Sequence, residues 1–118
     1  MIEREQRVAD QELLGRTVLA LLELRQAQQR LASVDARIAQ LTQLRARVTS
    51  PEDIGRVQVR AGRWESVRLQ AYQNAESREA DVKKLMGRNP YDELQLAASL
   101  TEEALRQQAT QLGLGNVL

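Results

Sequence analysis

The sequence predicts an all-α protein: an antiparallel two-helix coiled-coil hairpin followed by a third helix near the C-terminus. Three observations predict this fold. Apolar residues make up 42% of the 118 residues, but aromatic residues only 3%, a composition typical of long amphipathic helices rather than a thick globular core. Apolar residues recur at heptad spacing through much of the chain. A short helix-starting stretch near residue 50 interrupts the pattern, leaving two arms of similar length.

The first arm is predicted to span about residues 11–48. One heptad position holds Thr17, Leu24, Leu31, Ile38 and Arg45, and the position three residues later holds Ala20, Ala27, Val34, Leu41 and Val48. Nine of these ten residues are apolar or Thr, which indicates a coiled-coil seam. The glutamines and arginines between them are predicted to face water.

The two arms are predicted to join at a tight turn, residues 49–50. Ser50 is a preferred N-cap residue, Pro51 suits the first position of a helix, and Glu52 and Asp53 favour the positive end of the helix dipole. A flexible linker would be longer and richer in Gly or Ser. A single kinked rod, with its seam covered by a second chain, remains the alternative.

The second arm is predicted to span about residues 51–88 and to end near Gly87 as a C-cap. Its seam, spaced by three and four residues, holds Val57, Ala61, Trp64, Arg68, Ala71, Ala75, Arg78, Val82 and Leu85. Antiparallel pairing would place Trp64 opposite Val34, as core; an exposed Trp64 would instead be a candidate hot spot for binding.

A third helix is predicted at about residues 90–112, because Asn89, Pro90 and Asp92 repeat the start pattern of Ser50 to Asp53. The stretch from Ser99 to Glu102 could restart it. Gly113 is expected to end this helix, and residues 113–118 to fray. The whole chain, residues 1–118, is expected to be a single helical domain.

An apolar patch is predicted at the base of the hairpin. It combines residues off the seam of the first arm with residues of the third helix: Leu14, Val18, Leu21, Leu22, Leu96 and Leu100. Either the third helix folds back and the two sets cover each other, or they form separate docking surfaces for partners or for a second copy.

The chain carries a net charge of +1, but the charge is unevenly distributed. Five arginines gather around the predicted turn: Arg45, Arg47, Arg56, Arg60 and Arg63. One interpretation is a solvated face whose arginine stems cover a thin alanine core. The other is a binding surface for an acidic protein or for phosphates.

Catalytic chemistry is not predicted. The chain has no His and no Cys, which removes the commonest metal ligands and the commonest general base. The carboxylate pairs Glu52/Asp53, Asp92/Glu93 and Glu102/Glu103 each lie at a predicted helix start, where acids serve the dipole. We therefore expect no enzyme activity, no metal and no cofactor.

Two runs carry a resemblance to a known family: LRQAQQRLASVDARIAQLTQLRARV at residues 24–48 and AGRWESVRLQAYQNAESREADVKKL at residues 61–85. They resemble the small coiled-coil proteins of flagellar and type III secretion export apparatus, the FliJ and YscO group. The resemblance implies a cytoplasmic hairpin similar to the stalk of rotary ATPases, which inserts into a hexameric export ATPase and contacts the export gate. This chain is shorter than is usual for the group, and its third helix has no counterpart there.

The predicted function is that of a helical interaction protein, a stalk, adaptor or chaperone in a larger cytoplasmic assembly, with protein export as one setting. Its partners would be proteins, and a homodimer is left open. The alternative is a small helical subunit that binds nucleic acid through the arginines near the turn. No apolar run is long enough to predict a membrane span.

Overall fold

The computed structural model describes residues 2–116 and confirms the all-α class. Three helices occur in that range: α1 (Ile2–Arg47), α2 (Pro51–Leu85) and α3 (Glu102–Gln111), with no strand among the described residues. The chain divides into two compact units, Met1–Gln26 with Ser77–Leu118 (unit 1) and Ala27–Glu76 (unit 2). Both long helices contribute residues to each unit.

The connection between α1 and α2 confirms the predicted tight turn. Helix α1 ends at Arg47, α2 begins at Pro51, and the backbone N–H of Ile54 donates to the Ser50 carbonyl at 2.9 Å. The acids of the first turn, Glu52 and Asp53, lie where the helix dipole favours negative charge.

The start of α1 was predicted too late, because the helix begins at Ile2 rather than near residue 11. Residues 2–12 lack an apolar stripe and are all exposed, so hydrophobic periodicity gives no signal there. They are nevertheless rich in Glu, Gln and Arg, which favour helix, and Glu3 and Glu5 lie in the first turn.

Glycines end α2 and α3, as predicted. Gly87 has φ 67° and Gly113 has φ 78°, both in the left-handed region that glycine adopts without a steric penalty. Behind each glycine the next backbone N–H donates back into the helix, from Arg88 to the Lys83 carbonyl and from Leu114 to the Ala109 carbonyl, both at 2.8 Å. This is the Schellman arrangement, which satisfies carbonyls that the helix leaves without a partner.

The predicted start of the third helix at Pro90 is wrong. Asn89 forms a local turn instead: its side-chain oxygen accepts from the Tyr91 N–H, and its carbonyl accepts from the Asp92 N–H, each at 3.0 Å. Asn side chains initiate turns with the same atoms that cap helices, so one pattern serves both outcomes. Asp92 and Glu93 therefore do not lie at a helix start. Helix α3 begins at Glu102.

Thr101 is the N-cap of α3. Its hydroxyl accepts from the Ala104 N–H at 3.2 Å, and its extended backbone, φ −77° and ψ 162°, is typical of a capping residue. The irregular segment before it, residues 93–100, is held by the Arg25 guanidinium, which donates to the Leu100 carbonyl at 2.7 Å and the Ala97 carbonyl at 3.0 Å.

Unit 1 has a core of two clusters. In the first, Val18 and Leu22 pack with Leu105 and Ala109 of α3. In the second, Ala20 and Leu24 pack with Val82 of α2, and partly buried Leu85, Leu94 and Leu96 add to it. Leu114, in the predicted frayed tail, packs against the first cluster, while residues 117–118 of that tail lie outside the described part of the chain.

Unit 2 is a helical hairpin with a thin core. Its buried residues are Ala27, Val34, Leu41, Val57 and Ala71. All five are predicted seam positions, and every α2 seam residue within unit 2 is at least half-buried. Arg68, a charged residue in that seam, donates to Asp35 of α1 at 2.6 Å. The pairing of these two positions is antiparallel, as the turn at residue 50 requires.

None of the helices among the described residues combines the length and the apolar character needed to cross a membrane.

Candidate functional site

The five arginines predicted to gather around the turn all belong to unit 2 and are all exposed. We call this set the basic tip: Arg45, Arg47, Arg56, Arg60 and Arg63. Arg45 and Arg47 lie in the last turn of α1, and the other three follow i, i+4, i+7 spacing on α2, which places them on one edge of that helix.

No arginine of the basic tip forms an ion pair or a side-chain hydrogen bond with another residue in the described part of the chain. Arg4, Arg7 and Arg88 likewise form no ion pair with a described residue, whereas Arg68, Arg78 and Arg106 do. Arg78 donates to Glu23 at 2.9 Å, and Arg106 donates to Glu102 at 2.9 Å. Within residues 27–76 eight arginines stand against five acids, so the hairpin of unit 2 has an excess of three positive charges.

Part of this charge has a structural role. Arg45 and Arg47 lie at the C-terminal end of α1, where positive charge stabilises the helix dipole. Arg56, Arg60 and Arg63 start one turn or more inside α2 and face no helix C-terminus. Stabilisation of a helix dipole therefore explains the positions of Arg45 and Arg47. It does not explain the three arginines on the edge of α2.

Trp64 is neither fully buried nor fully exposed. The guanidinium carbon of Arg37 lies 5.5 Å from the centroid of the Trp64 ring, within the range of a cation–π contact. On one side of this pair a shallow groove is lined by Leu41, Arg60 and Arg63. On the other side, the same two residues border a groove lined by Arg30, Ser33, Val34 and Val67.

We call these two depressions together the Arg37–Trp64 groove. Trp64 borders Val34 there, close to the predicted pairing, but it forms the wall of a groove instead of being closed inside a core. Arg30 and Arg37 were not predicted as site residues. Their i, i+7 spacing on α1, which places both on one side of the helix, was the available signal.

A separate depression lies on the outer surface of α2 and is lined by Gly55, Arg56, Val59, Arg60 and Arg63. Val59 is 58% exposed there, because no other element covers it. Arg60 and Arg63 thus border both the Arg37–Trp64 groove and this outer surface.

The predicted apolar base patch is mostly covered by the chain itself. Val18 and Leu22 are buried against α3, Leu21 and Leu100 are partly buried against the same cluster, and Leu96 packs on the second cluster. Leu14, in contrast, is 51% exposed. Of the two predicted arrangements of this patch, the structure shows the one in which the third helix and the segment before it fold back.

A smaller apolar surface of unit 1 stays open beside this core. Val8, Leu19, Leu112 and Leu114 line a groove together with Gly15 and four polar residues. A methyl group at Gly15 would lie 3.3 Å from Leu114, so the glycine permits this close approach of the C-terminal segment to α1.

The described residues contain no group of three or more His, Cys, Asp or Glu side chains able to hold a metal ion. None of their buried residues is polar or charged, and no buried side-chain polar atom lacks a hydrogen bond. One ionisable group is clearly perturbed: the hydrogen bond from Arg106 lowers the pKa of Glu102 below its ordinary value of 4.5, and a weaker bond from Gln26 acts in the same direction. This carboxylate lies in the first turn of α3, where its role is structural.

Comparison with known proteins gives no family for this chain: no family model matches it, and no match is found among curated proteins or solved structures.

Proposed function

We propose that the protein is a non-enzymatic interaction protein, a stalk, adaptor or chaperone, that docks an acidic protein surface through the basic tip. The observation that carries this proposal is the set of five exposed arginines that find no carboxylate within the described chain, while Arg68, Arg78 and Arg106 each find one. Exposed charge of one sign steers a partner of opposite sign and sets the specificity of docking.

The location of the arginines supports a docking role. They lie on α1 and α2 on either side of a short turn, so the backbone that carries them is helical before a partner arrives. A preformed surface pays less conformational entropy on binding than a flexible one. The resemblance to export-apparatus coiled coils, and the absence of Cys, agree with a cytoplasmic assembly for protein export as the setting.

Nucleic acid is a less suitable ligand for the same arginines. The net charge of the chain is only +1, and its aromatic residues are one Trp and two Tyr, few for stacking on bases. The single Trp already holds the guanidinium of Arg37 over its ring.

Charge reversal of the α2 edge tests the proposal. A variant carrying Arg56→Glu, Arg60→Glu and Arg63→Glu is compared with a control carrying Arg4→Glu, Arg7→Glu and Arg88→Glu. Each variant carries three Arg→Glu substitutions, so both change the net charge equally. All six positions are exposed, so neither variant alters buried surface. We expect the first variant to lose the proteins that the wild type captures from an extract of its own cells, and the control to retain them.

Circular dichroism of both variants verifies that helicity is preserved. Equal capture by the two variants would refute a docking role for the basic tip. A low-salt gel shift with single-stranded and duplex oligonucleotides addresses the alternative ligand: binding that weakens steeply with salt and disappears in the α2-edge variant would replace the protein partner with nucleic acid.

A further inference from the structure

The Arg37–Trp64 groove lies in the part of the chain with the least internal packing. Both clusters of contiguous buried residues belong to unit 1, where α3 and residues 94–100 cover the apolar sides of α1 and α2. Among residues 27–76 no such cluster forms, and the two helices of unit 2 have only each other to pack against within that unit. A two-helix hairpin leaves part of each apolar stripe open, because two cylinders cannot enclose a core.

The floor of the groove is apolar. Leu41 and Val34 are buried at its base, while Trp64 and Val67 remain half-buried along its wall. From residue 30 to residue 41, α1 borders the groove over three turns, or roughly 16 Å at about 1.5 Å per residue. This length and composition suit the apolar stripe of one further helix laid along the groove.

The rim of the groove is cationic. Arg30 and Arg37 on α1 and Arg60 and Arg63 on α2 line it, and no carboxylate does. None of the four forms an ion pair with a described residue, and the neighbouring Asp35 is already bound to Arg68. An occupant with acidic residues beside its apolar stripe would therefore complement both the floor and the rim.

We propose that the Arg37–Trp64 groove binds an acidic amphipathic helix of a partner protein, which packs as a third helix on unit 2. Its apolar residues contact Trp64 and Leu41, and its carboxylates pair with the arginines of the rim. The inference rests on the proposed docking function and names the class of partner. A second copy fits less well, because the acidic segment of this chain, residues 2–12, interleaves its acids with Arg4 and Arg7.

The test uses the full chain and the fluorescence of Trp64, which is the only tryptophan and reports directly on the groove. The probe is a synthetic peptide of three heptads with Leu at positions a and d and Glu at positions e and g, whose acidic flanks oppose its self-association. We expect saturable binding at one peptide per chain and a shift of the Trp64 emission to shorter wavelength, because the ring loses water. A peptide of the same composition with shuffled leucines is expected to bind at least about tenfold more weakly.

Two paired charge reversals test the cationic rim. The groove variant, Arg30→Glu with Arg37→Glu, changes two rim positions, and the control, Arg4→Glu with Arg7→Glu, changes two exposed positions of unit 1. Each rim reversal removes an attraction and adds a repulsion, so we expect the groove variant to bind the peptide at least about tenfold more weakly and the control to stay within about threefold of wild type.

Several results would overturn the inference. They are equal affinity for the shuffled peptide, no loss of binding in the groove variant, tighter binding of a single-stranded oligonucleotide than of the peptide, and a dimeric solution mass of the wild type that falls to the monomer mass in the groove variant. The proposed function fails separately, if reversal of Arg56, Arg60 and Arg63 leaves capture of the native partner unchanged. If that reversal abolishes capture while the groove variant retains capture and peptide binding, the proposed function stands and the groove inference alone fails.

Discussion

Replacement of Leu105 by alanine tests whether the apolar base patch is internal core. Leu105 is 0% exposed and packs with Val18, Leu22 and Ala109, so it links α3 to α1. Helix α3 is only 10 residues long, too short to be stable without tertiary contacts. The helical structure of α3 therefore depends on the burial of Leu105.

The expected magnitude follows from complete burial of the side chain. Removing a fully buried leucine loses its transfer free energy and leaves a cavity, which together cost about 2–5 kcal/mol. Domains of this size have a total stability of about 5–15 kcal/mol, so the loss is a large fraction. With a urea dependence of about 1.5 kcal/mol per molar, a loss of about 3 kcal/mol lowers the midpoint of unfolding by about 2 M.

Urea unfolding followed by circular dichroism measures this effect, and hydrogen exchange locates it. We expect the amides of residues 102–111 to lose protection before those of residues 51–76 in Leu105→Ala. The matched control is Gln107→Ala, an exposed position of the same helix, which should change the free energy of unfolding by no more than about 0.5 kcal/mol. If the two variants have the same stability, α3 is not held by the packing of Leu105 against Val18 and Leu22.

Three further changes have expected outcomes. Gly62→Ala should raise the free energy of unfolding by about 0.5–1 kcal/mol in denaturant titrations, because Gly62 is inside α2 and a methyl group there meets nothing within 4 Å; a lower stability would contradict this. A double-mutant cycle on Asp35 and Arg68 should give a coupling of no more than about 1 kcal/mol, since the two side chains are 47% and 43% exposed; a larger value would mean that the seam arginine is a main support of unit 2. Because the Arg106 hydrogen bond lowers the pKa of Glu102 in the folded chain, its stabilising effect is complete above the ordinary value of 4.5 and is lost as the pH falls through the lowered pKa. The stability difference between wild type and Glu102→Gln should therefore shrink as the pH falls below 4.5, and a difference that does not change would refute the assignment.

Hydrophobic periodicity predicted the long helices because packing between α1 and α2 determines which residues are buried. The seam residues Leu24, Val34 and Leu41 are all buried, and so are Val57 and Val82 of the return arm. Residues with restricted or unusual backbone preferences predicted three helix ends equally well. Pro51 begins α2, and the two glycines with positive φ follow the ends of α2 and α3.

The segment between α2 and α3 was not predictable by the same rules. Asn89 and Pro90 satisfy the requirements of a helix start and of a turn equally, so local sequence leaves the outcome open. Long-range contacts favour the irregular conformation of residues 93–100: Arg25, 72 residues from Ala97 in sequence, donates to that carbonyl, and Leu94 and Leu96 pack on the cluster around Leu24. Sequence periodicity does not report such contacts.

The sequence predicted which arginines of the candidate site cluster near the turn, but it did not predict the groove beside Trp64. Clustering of arginines near the turn identified the basic tip. Arg37 was assigned to solvent with the other residues off the seam, although its guanidinium lies over the Trp64 ring. Whether an arginine off the seam meets an aromatic side chain depends on the rotation of the partner helix, which heptad spacing alone does not specify.

The distribution of the core between the two units bears directly on function. In unit 1, α3 and residues 94–100 supply the third layer that two helices need to enclose apolar side chains, and Leu24, Val82 and Leu105 are 0–1% exposed. In unit 2 a half-buried tryptophan and arginines without a carboxylate partner line a groove that no third element of that unit covers. An unfilled third layer lowers the stability of a hairpin when it stands alone, but it leaves apolar surface and charge available to a partner. The sparse packing of unit 2 is therefore the physical reason to look for the binding activity of this protein within residues 27–76.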